Sequence, residues 1–111
     1  MDFTTTTSVV DDTTVVRPEG NLNMASAAEL RTAVEQAILE GPSRVVVDLQ
    51  GVPFIDSSGL GALIGCLKTA RDHGGDLRIA SPGAQVTMVL KLSNVDRVLL
   101  SSPSVEAAYR D

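Results

Sequence analysis

Three groups of residues in this chain have types that could do chemistry. The first is a serine pair in the run Asp56-Ser57-Ser58-Gly59-Leu60-Gly61. The second is the single histidine, His73, which could serve a serine as a base. The third is the acid pair Asp48 and Asp56, which could share a metal or divide acid and base roles. The serine pair also admits two simpler readings. A serine at a helix start can cap it, or it can accept a phosphate.

The elements around these residues decide among the readings. Leu60, Leu63, Ile64, Leu67 and Ala70 recur at helical spacing after the serines, so a loop delivers the pair to the first turn of an apolar-faced helix. Gly74-Gly75 closes that helix, with Lys68, Arg71 and His73 near its negative end. His73 then lies about 24 Å from Ser57, at ~1.5 Å per residue, far beyond hydrogen-bond reach. The G-x-S-x-G pattern of a nucleophile elbow is also absent. Asp48 and Asp56 bring no histidine or further acid near them, so a metal or paired-carboxylate site is not expected.

A cap and a phosphate acceptor both remain open on these grounds. The first N–H groups of a helix lack partners and its dipole end is positive. A phosphoserine there adds about −1.5 to −2 charges where an anion is favoured. The helix end is worth only about 0.3–1 kcal/mol to a surface charge, so the effect should fall on a docking surface and not on folding. Gly59, Gly61 and Gly65 each weaken the helix by about 1 kcal/mol relative to alanine. Gly59 could leave room beside the serine for a visiting active site. Gly61 and Gly65 share a face that could approach the sheet or a partner closely.

The rest of the chain supplies the scaffold. Met1 to Thr7 is polar and expected to be flexible, and it has no signal-peptide pattern. Ser8–Val10 and Thr13–Arg17 read as a hairpin turning at Asp11-Asp12, with Pro18 ending the second strand or placing it at an edge. A loop from Glu19 to Asn23 follows. Ser26-Ala27-Ala28-Glu29 is a capping box opening a helix that carries Leu30, Val34, Ala37 and Ile38 and stops at Gly41-Pro42. Arg44–Leu49 is a buried strand, and the loop Gly51–Asp56 carries Phe54 and Ile55 inward. After Gly75 come a strand Leu77–Ala80, a helix opened by Ser81-Pro82, a last strand Val98–Leu100 and a short helix Pro103–Arg110. Strands alternating with helices predict an α/β domain spanning residues 1–111.

These residues resemble a known family. Asp56–Gly61, preceded by Val47-Asp48-Leu49 and Phe54-Ile55, is similar to the motif of the anti-sigma factor antagonists, small bacterial members of the STAS domain family. The similarity runs from about Val15 to Ala108 and includes the loop Gly20–Asn23, Ser81-Pro82 and Leu92–Leu99. It implies a STAS-like fold: a mixed sheet of about five strands with about four helices packed mainly on one face.

The resemblance implies a function as well. Such a protein, unphosphorylated, binds an anti-sigma factor that is also a serine kinase, and a sigma factor is released. The kinase phosphorylates the serine directly after the aspartate, here Ser57 with Ser58 as second choice. The modified form lets go, and a PP2C-type phosphatase resets it. The chain is then a substrate and not an enzyme, needs no cofactor or metal, and works in the cytoplasm as a monomer or weak dimer. Its partner-binding residues are Asn21, Asn23, Asp56, Ser57, Ser58, Gly59, Leu60 and Gly61. Family members often carry acids where Asn21 and Asn23 stand, and a glycine where Asn94 stands. The alternative that the resemblance leaves open is a non-switching STAS scaffold or a soluble subunit of a transport system.

Composition agrees with this reading. A net charge of −5 argues against nucleic acid as partner. No apolar run is long enough to span a membrane. Cys66, the single cysteine, has apolar helical neighbours and reads as a small core residue.

Overall fold

The computed structural model describes residues 3 to 110. The elements run β1 (Thr4–Val10), β2 (Thr13–Glu19), α1 (Ala27–Glu40), β3 (Arg44–Asp48), α2 (Ser57–Asp72), β4 (Asp76–Ala80), α3 (Ala84–Leu92), a 3₁₀ turn (Val95–Arg97) and β5 (Ser101–Ser102). The sheet order is β1-β2-β3-β4-β5. The β1–β2 hairpin is antiparallel and every other pairing is parallel.

The hairpin turns where Asp11 adopts a φ of 53°, a left-handed conformation that aspartate tolerates. Of the segment expected to be flexible, Met1 and Asp2 lie outside the described residues. Thr4–Thr7 are ordered strand instead, paired with Val16–Glu19. Their β-branched side chains suit a strand, and Phe3 before them packs against the core. Pro18 does not end β2. The pairing with β3 stops at Val16↔Val47, so the missing proline N–H costs that ladder nothing.

The valine run of β3 divides between two faces, as the strand period of two requires. Val45 and Val47 join Val16, Leu77 and Ile79 under α1, α2 and α3, against Leu30, Val34, Leu63, Leu67, Val86 and Leu90. Full burial of each such side chain stabilises by roughly 1.5–3 kcal/mol. Val46 and Ala80 face the other way, under Val105, Ala108 and Tyr109.

That second cover is not the helix expected over Pro103–Arg110. It is a succession of turns, held by Ala108 N–H to the Val105 carbonyl and Arg110 N–H to the Ala107 carbonyl, both 3.2 Å. So short a segment nucleates poorly, and its contacts with the sheet decide its path. The Tyr109 hydroxyl donates to the Val45 carbonyl at 2.8 Å. Arg78 donates to the Ala108 carbonyl at 2.8 Å and stacks 4.6 Å above the Tyr109 ring. Among the described residues the fold therefore has three α-helices, not about four. The last strand is also displaced, from Val98–Leu100 to Ser101–Ser102. Val98 and Leu99 donate back to the Val95 carbonyl, so that stretch stays coiled and the pairing with β4 falls to Ser101 and Ser102. Asn94 enters this turn at φ 59°, a conformation for which glycine is otherwise favoured.

Burial pushes the Tyr109 phenol up from 10.0 to about 12, with the nearby Asp76 carboxylate adding to the rise. The folded state thus holds the neutral phenol. Its contribution to stability is complete below pH 10 and is lost as pH rises from 10 towards 12. Tyr109 is the only tyrosine and there is no tryptophan, so phenolate absorbance reports it alone. A spectrophotometric titration of the folded protein should give a midpoint well above 10. A midpoint at 10 would show that the ring is not held against the sheet.

Candidate functional site

The expected helix start is observed: Ser57 is the first residue of α2. Asp56, not a serine, is the cap. Its Oδ1 accepts from the Gly59 N–H at 3.0 Å. This leaves both serine hydroxyls without a hydrogen-bond partner among the described residues. The N–H groups of Ser57 and Ser58 are likewise unpartnered. Ser57 is exposed and Ser58 half-buried, so Ser57 has the more accessible of the two hydroxyls. His73 caps the far end of the same 16-residue helix, where its Nδ1 lies 2.9 Å from the Thr69 carbonyl.

The loop after β2 is fastened to the segment before α2. Leu22 N–H donates to the Phe54 carbonyl at 2.9 Å, and Asp56 N–H donates to the Leu22 carbonyl at 3.2 Å. This is a short parallel bridge centred on Leu22 and Ile55. Ile55 and Leu22 are fully buried. Phe54, expected inward, points out and is 43% exposed. Successive side chains of an extended segment alternate, so an inward Ile55 sends Phe54 outward. Met24, on the neighbouring loop, is 79% exposed. Ser57 therefore lies just past an exposed aromatic residue, on a segment bridged to the loop that carries an exposed thioether.

The capping box expected at Ser26 does not form. The Ser26 hydroxyl instead donates to the Asn21 carbonyl at 2.7 Å and accepts from the Asn23 N–H at 3.0 Å. Asn23 closes the turn that leads into α1: its Oδ1 accepts from Ala25 and Ser26 N–H at 3.0 and 3.3 Å. Asparagine suits such a turn, and an aspartate could accept the same two bonds. Gln85 joins the site with no warning from the sequence. Its side-chain amide grips the backbone of Ile55 from both sides, accepting from the N–H at 2.9 Å and donating to the carbonyl at 3.0 Å. No local pattern marks it, because its partner lies 30 residues away.

The glycines of α2 resolve differently from expectation. Gly59 is buried and leaves no room for a visitor. A Cβ there would run into the Leu22 carbonyl oxygen, and would lie 2.8 Å from Leu22 Cγ and 2.9 Å from Ile55 Cγ1. Gly61 has open space. Gly65 lies under the Arg31 guanidinium, which donates to the Gly61 carbonyl at 3.3 Å. So the Gly61–Gly65 face meets an α1 side chain and not the sheet. The buried face is Gly59, Ala62, Leu63, Cys66, Leu67 and Ala70. Leu60 is half-buried and Ile64 is 38% exposed, so the helix is rotated from the face expected. Cys66 is core, as its neighbours suggest, and burial raises its thiol to about 12.

Asp48 and Asp56 have separate partners. Arg17 lies 3.3 Å from Asp48, which also accepts from the Gln50 N–H. No group of three His, Cys, Asp or Glu that could hold a metal occurs among the described residues.

A mixed sheet with helices on one face, and an accessible serine opening the second helix beside a bridged loop, define a small α/β domain of the STAS type. The STAS domain family matches residues 4–108, and the chain belongs to it. A Thermotoga maritima protein named as a candidate anti-sigma factor antagonist is 29% identical over 104 residues, covering 93% of this chain and 92% of its own. The crystal structure of such a Thermotoga maritima protein superposes with a TM-score of 0.84 at 28% identity, covering 92% of this chain and 88% of that one. The anti-sigma F factor antagonist of Lysinibacillus sphaericus is 24% identical and covers 92% of this chain and 88% of its own. No helix among the described residues is long and apolar enough to cross a membrane.

The two glycines give opposite predictions. Gly59→Ala should destabilise by about 1–3 kcal/mol through overpacking, despite its better helix propensity. Gly61→Ala should stabilise by up to about 1 kcal/mol, since its Cβ meets nothing. Urea unfolding of the two variants decides it. Equal effects would contradict the close approach of Leu22.

Proposed function

We propose that this chain is an anti-sigma factor antagonist whose binding is switched off by phosphorylation of Ser57. In this reading the unphosphorylated chain docks on an anti-sigma factor that is also a serine kinase, and a sigma factor is freed. The observation that carries the reading is the division of labour at the start of α2. Asp56 takes the cap, and the Ser57 hydroxyl next to it is exposed and without a partner among the described residues. The names of the relatives, anti-sigma factor antagonists, support the same reading.

The chemistry is transfer of the γ-phosphoryl group of ATP to the Ser57 oxygen, with loss of the hydroxyl proton and release of ADP. The kinase supplies the base and the nucleotide site, and this chain supplies the nucleophile. Two features prepare it. The hydroxyl needs no internal hydrogen bond broken before it reacts. The bridge to Leu22 and the Gln85 grip on Ile55 fix the backbone that presents it.

The docking surface comprises Asn21, Asn23, Asp56, Ser57, Ser58, Leu60 and Gly61, with Met24 and Phe54 as its apolar anchors. Gly59 acts from beneath by allowing Leu22 close. A phosphate in the middle of this surface adds about −1.5 to −2 charges. An interface closing over it would have to desolvate that charge or meet it with a cation. Release needs no refolding of this chain, because the helix end itself tolerates the anion. A PP2C-type phosphatase would restore the hydroxyl in the cytoplasm. The chain is in this account a regulated substrate and not a catalyst.

Incubation with the cognate kinase and ATP should add a single phosphate. Peptide mass spectrometry should place it on Ser57, and Ser57→Ala should accept none while Ser58→Ala is still modified. Modification confined to Ser58, or none in the wild type, would sink the assignment.

A further inference from the structure

β1 is the last strand on its side of the sheet, and its outer edge is unpaired among the described residues. The register shows which groups face that edge. Thr5 stands opposite Pro18, which has no N–H, so this pair cannot exchange two hydrogen bonds. Antiparallel ladders alternate, so the bonded pairs are Thr4↔Glu19, Thr6↔Arg17, Ser8↔Val15 and Val10↔Thr13. The two-residue turn at Asp11-Asp12, closing on Val10↔Thr13, agrees with that phase. The N–H and C=O groups of Thr5, Thr7 and Val9 therefore point away from β2, into the open.

Edge strands are ordinarily protected by charge, proline, a bulge or shortness. Thr4–Val10 has seven residues and no Lys, Arg, Asp, Glu, Pro or Gly. Its register with β2 is unbroken over all seven, so no bulge turns the edge away. Val9 and Val10 are 58% and 47% exposed. The opposite edge is different: β5 has two residues.

We propose that β1 is a self-association edge, on which a second copy of this chain pairs antiparallel about a two-fold axis at Thr7. The edge is complementary to itself about that point. Thr5 meets Val9 of the second copy, Thr7 meets Thr7, and Val9 meets Thr5. Each pair has both its N–H and C=O groups aimed across the gap, giving about six hydrogen bonds. On the other face Val10 comes opposite Thr4 of the second copy, so both exposed valines gain a β-branched neighbour. An uncharged strand lets two copies meet although each carries a net −5. Each chain has one long open edge, so association closes at two and does not run on into a filament. The principal packing partners of α2 are α1 and β4 and those of β1 are β2 and α1, so the edge and Ser57 lie on elements that are not principal neighbours.

Sedimentation equilibrium of the full chain, from micromolar to millimolar, tests this. The wild type should pass from monomer to dimer and no further. Thr7→Pro removes the outward N–H without touching the ladder to β2, and should weaken dimerisation about tenfold or more through two lost hydrogen bonds. Circular dichroism should be unchanged. Should the proline disturb β1, a charge pair decides. Thr7→Lys and Thr7→Glu should each dimerise less well than wild type at low salt, and a mixture should associate better than either alone. A wild type that stays monomeric at millimolar concentration would overturn the proposal. So would a dimer insensitive to Thr7→Pro in a folded variant, or a mixture no better than its components.

Discussion

The contact on which the rest of the site depends is the close approach of Leu22 to the start of α2. The Leu22 N–H and carbonyl are both used on the segment Phe54–Asp56. The Leu22 carbonyl sits where a side chain at position 59 would have to be. Glycine at 59 thus lets the helix start lie flat against the loop after β2. Without that approach residues 54–56 lose one of the two ties on their path, the other being the Gln85 grip on Ile55, and Asp56 is less firmly placed to cap α2. The helix loses propensity at Gly59, at about 1 kcal/mol, and gains a site whose backbone is held from two sides.

This arrangement separates two tasks that one serine could not perform together. A serine cap has its oxygen committed to a backbone N–H. With Asp56 in that role, the Ser57 hydroxyl at the positive end of the helix and the two N–H groups beside it have no partner among the described residues. Such a helix end tolerates added charge. In the proposed reading, the fold is then indifferent to a modification to which the docking surface is sensitive, as a reversible switch requires. The grip of Gln85 on Ile55 shows α3 contributing to the same rigidity from across the core.

Much of this is legible in the sequence, for local reasons. The valine run, the helix spacing and the Gly74 stop are written in neighbouring residues, and Gly74 indeed takes a φ of 80°. The Asp-Ser-Ser-Gly run announces a helix start. The features that escape the sequence depend on partners distant in the chain. The helix face turns because Leu22 needs Gly59 inward, which no periodicity within α2 reveals. Ser26 is a loop tie because Asn23 already closes the turn. The C-terminal segment gives up its helix to Tyr109, whose hydroxyl reaches a carbonyl 64 residues away. Gln85 leaves no sequence signal because its partner is backbone.

The central claim is that a charge at Ser57 acts on a docking surface and leaves the fold alone. Calorimetric titration of the anti-sigma partner with the same preparation, before and after stoichiometric phosphorylation, tests it most directly. The account predicts binding in the unmodified state and a loss of affinity of at least about tenfold, a change of some 1.4 kcal/mol, after modification. The thermal unfolding midpoint should stay nearly constant. Equal affinities in the two states, or a loss of binding accompanied by unfolding, would contradict it.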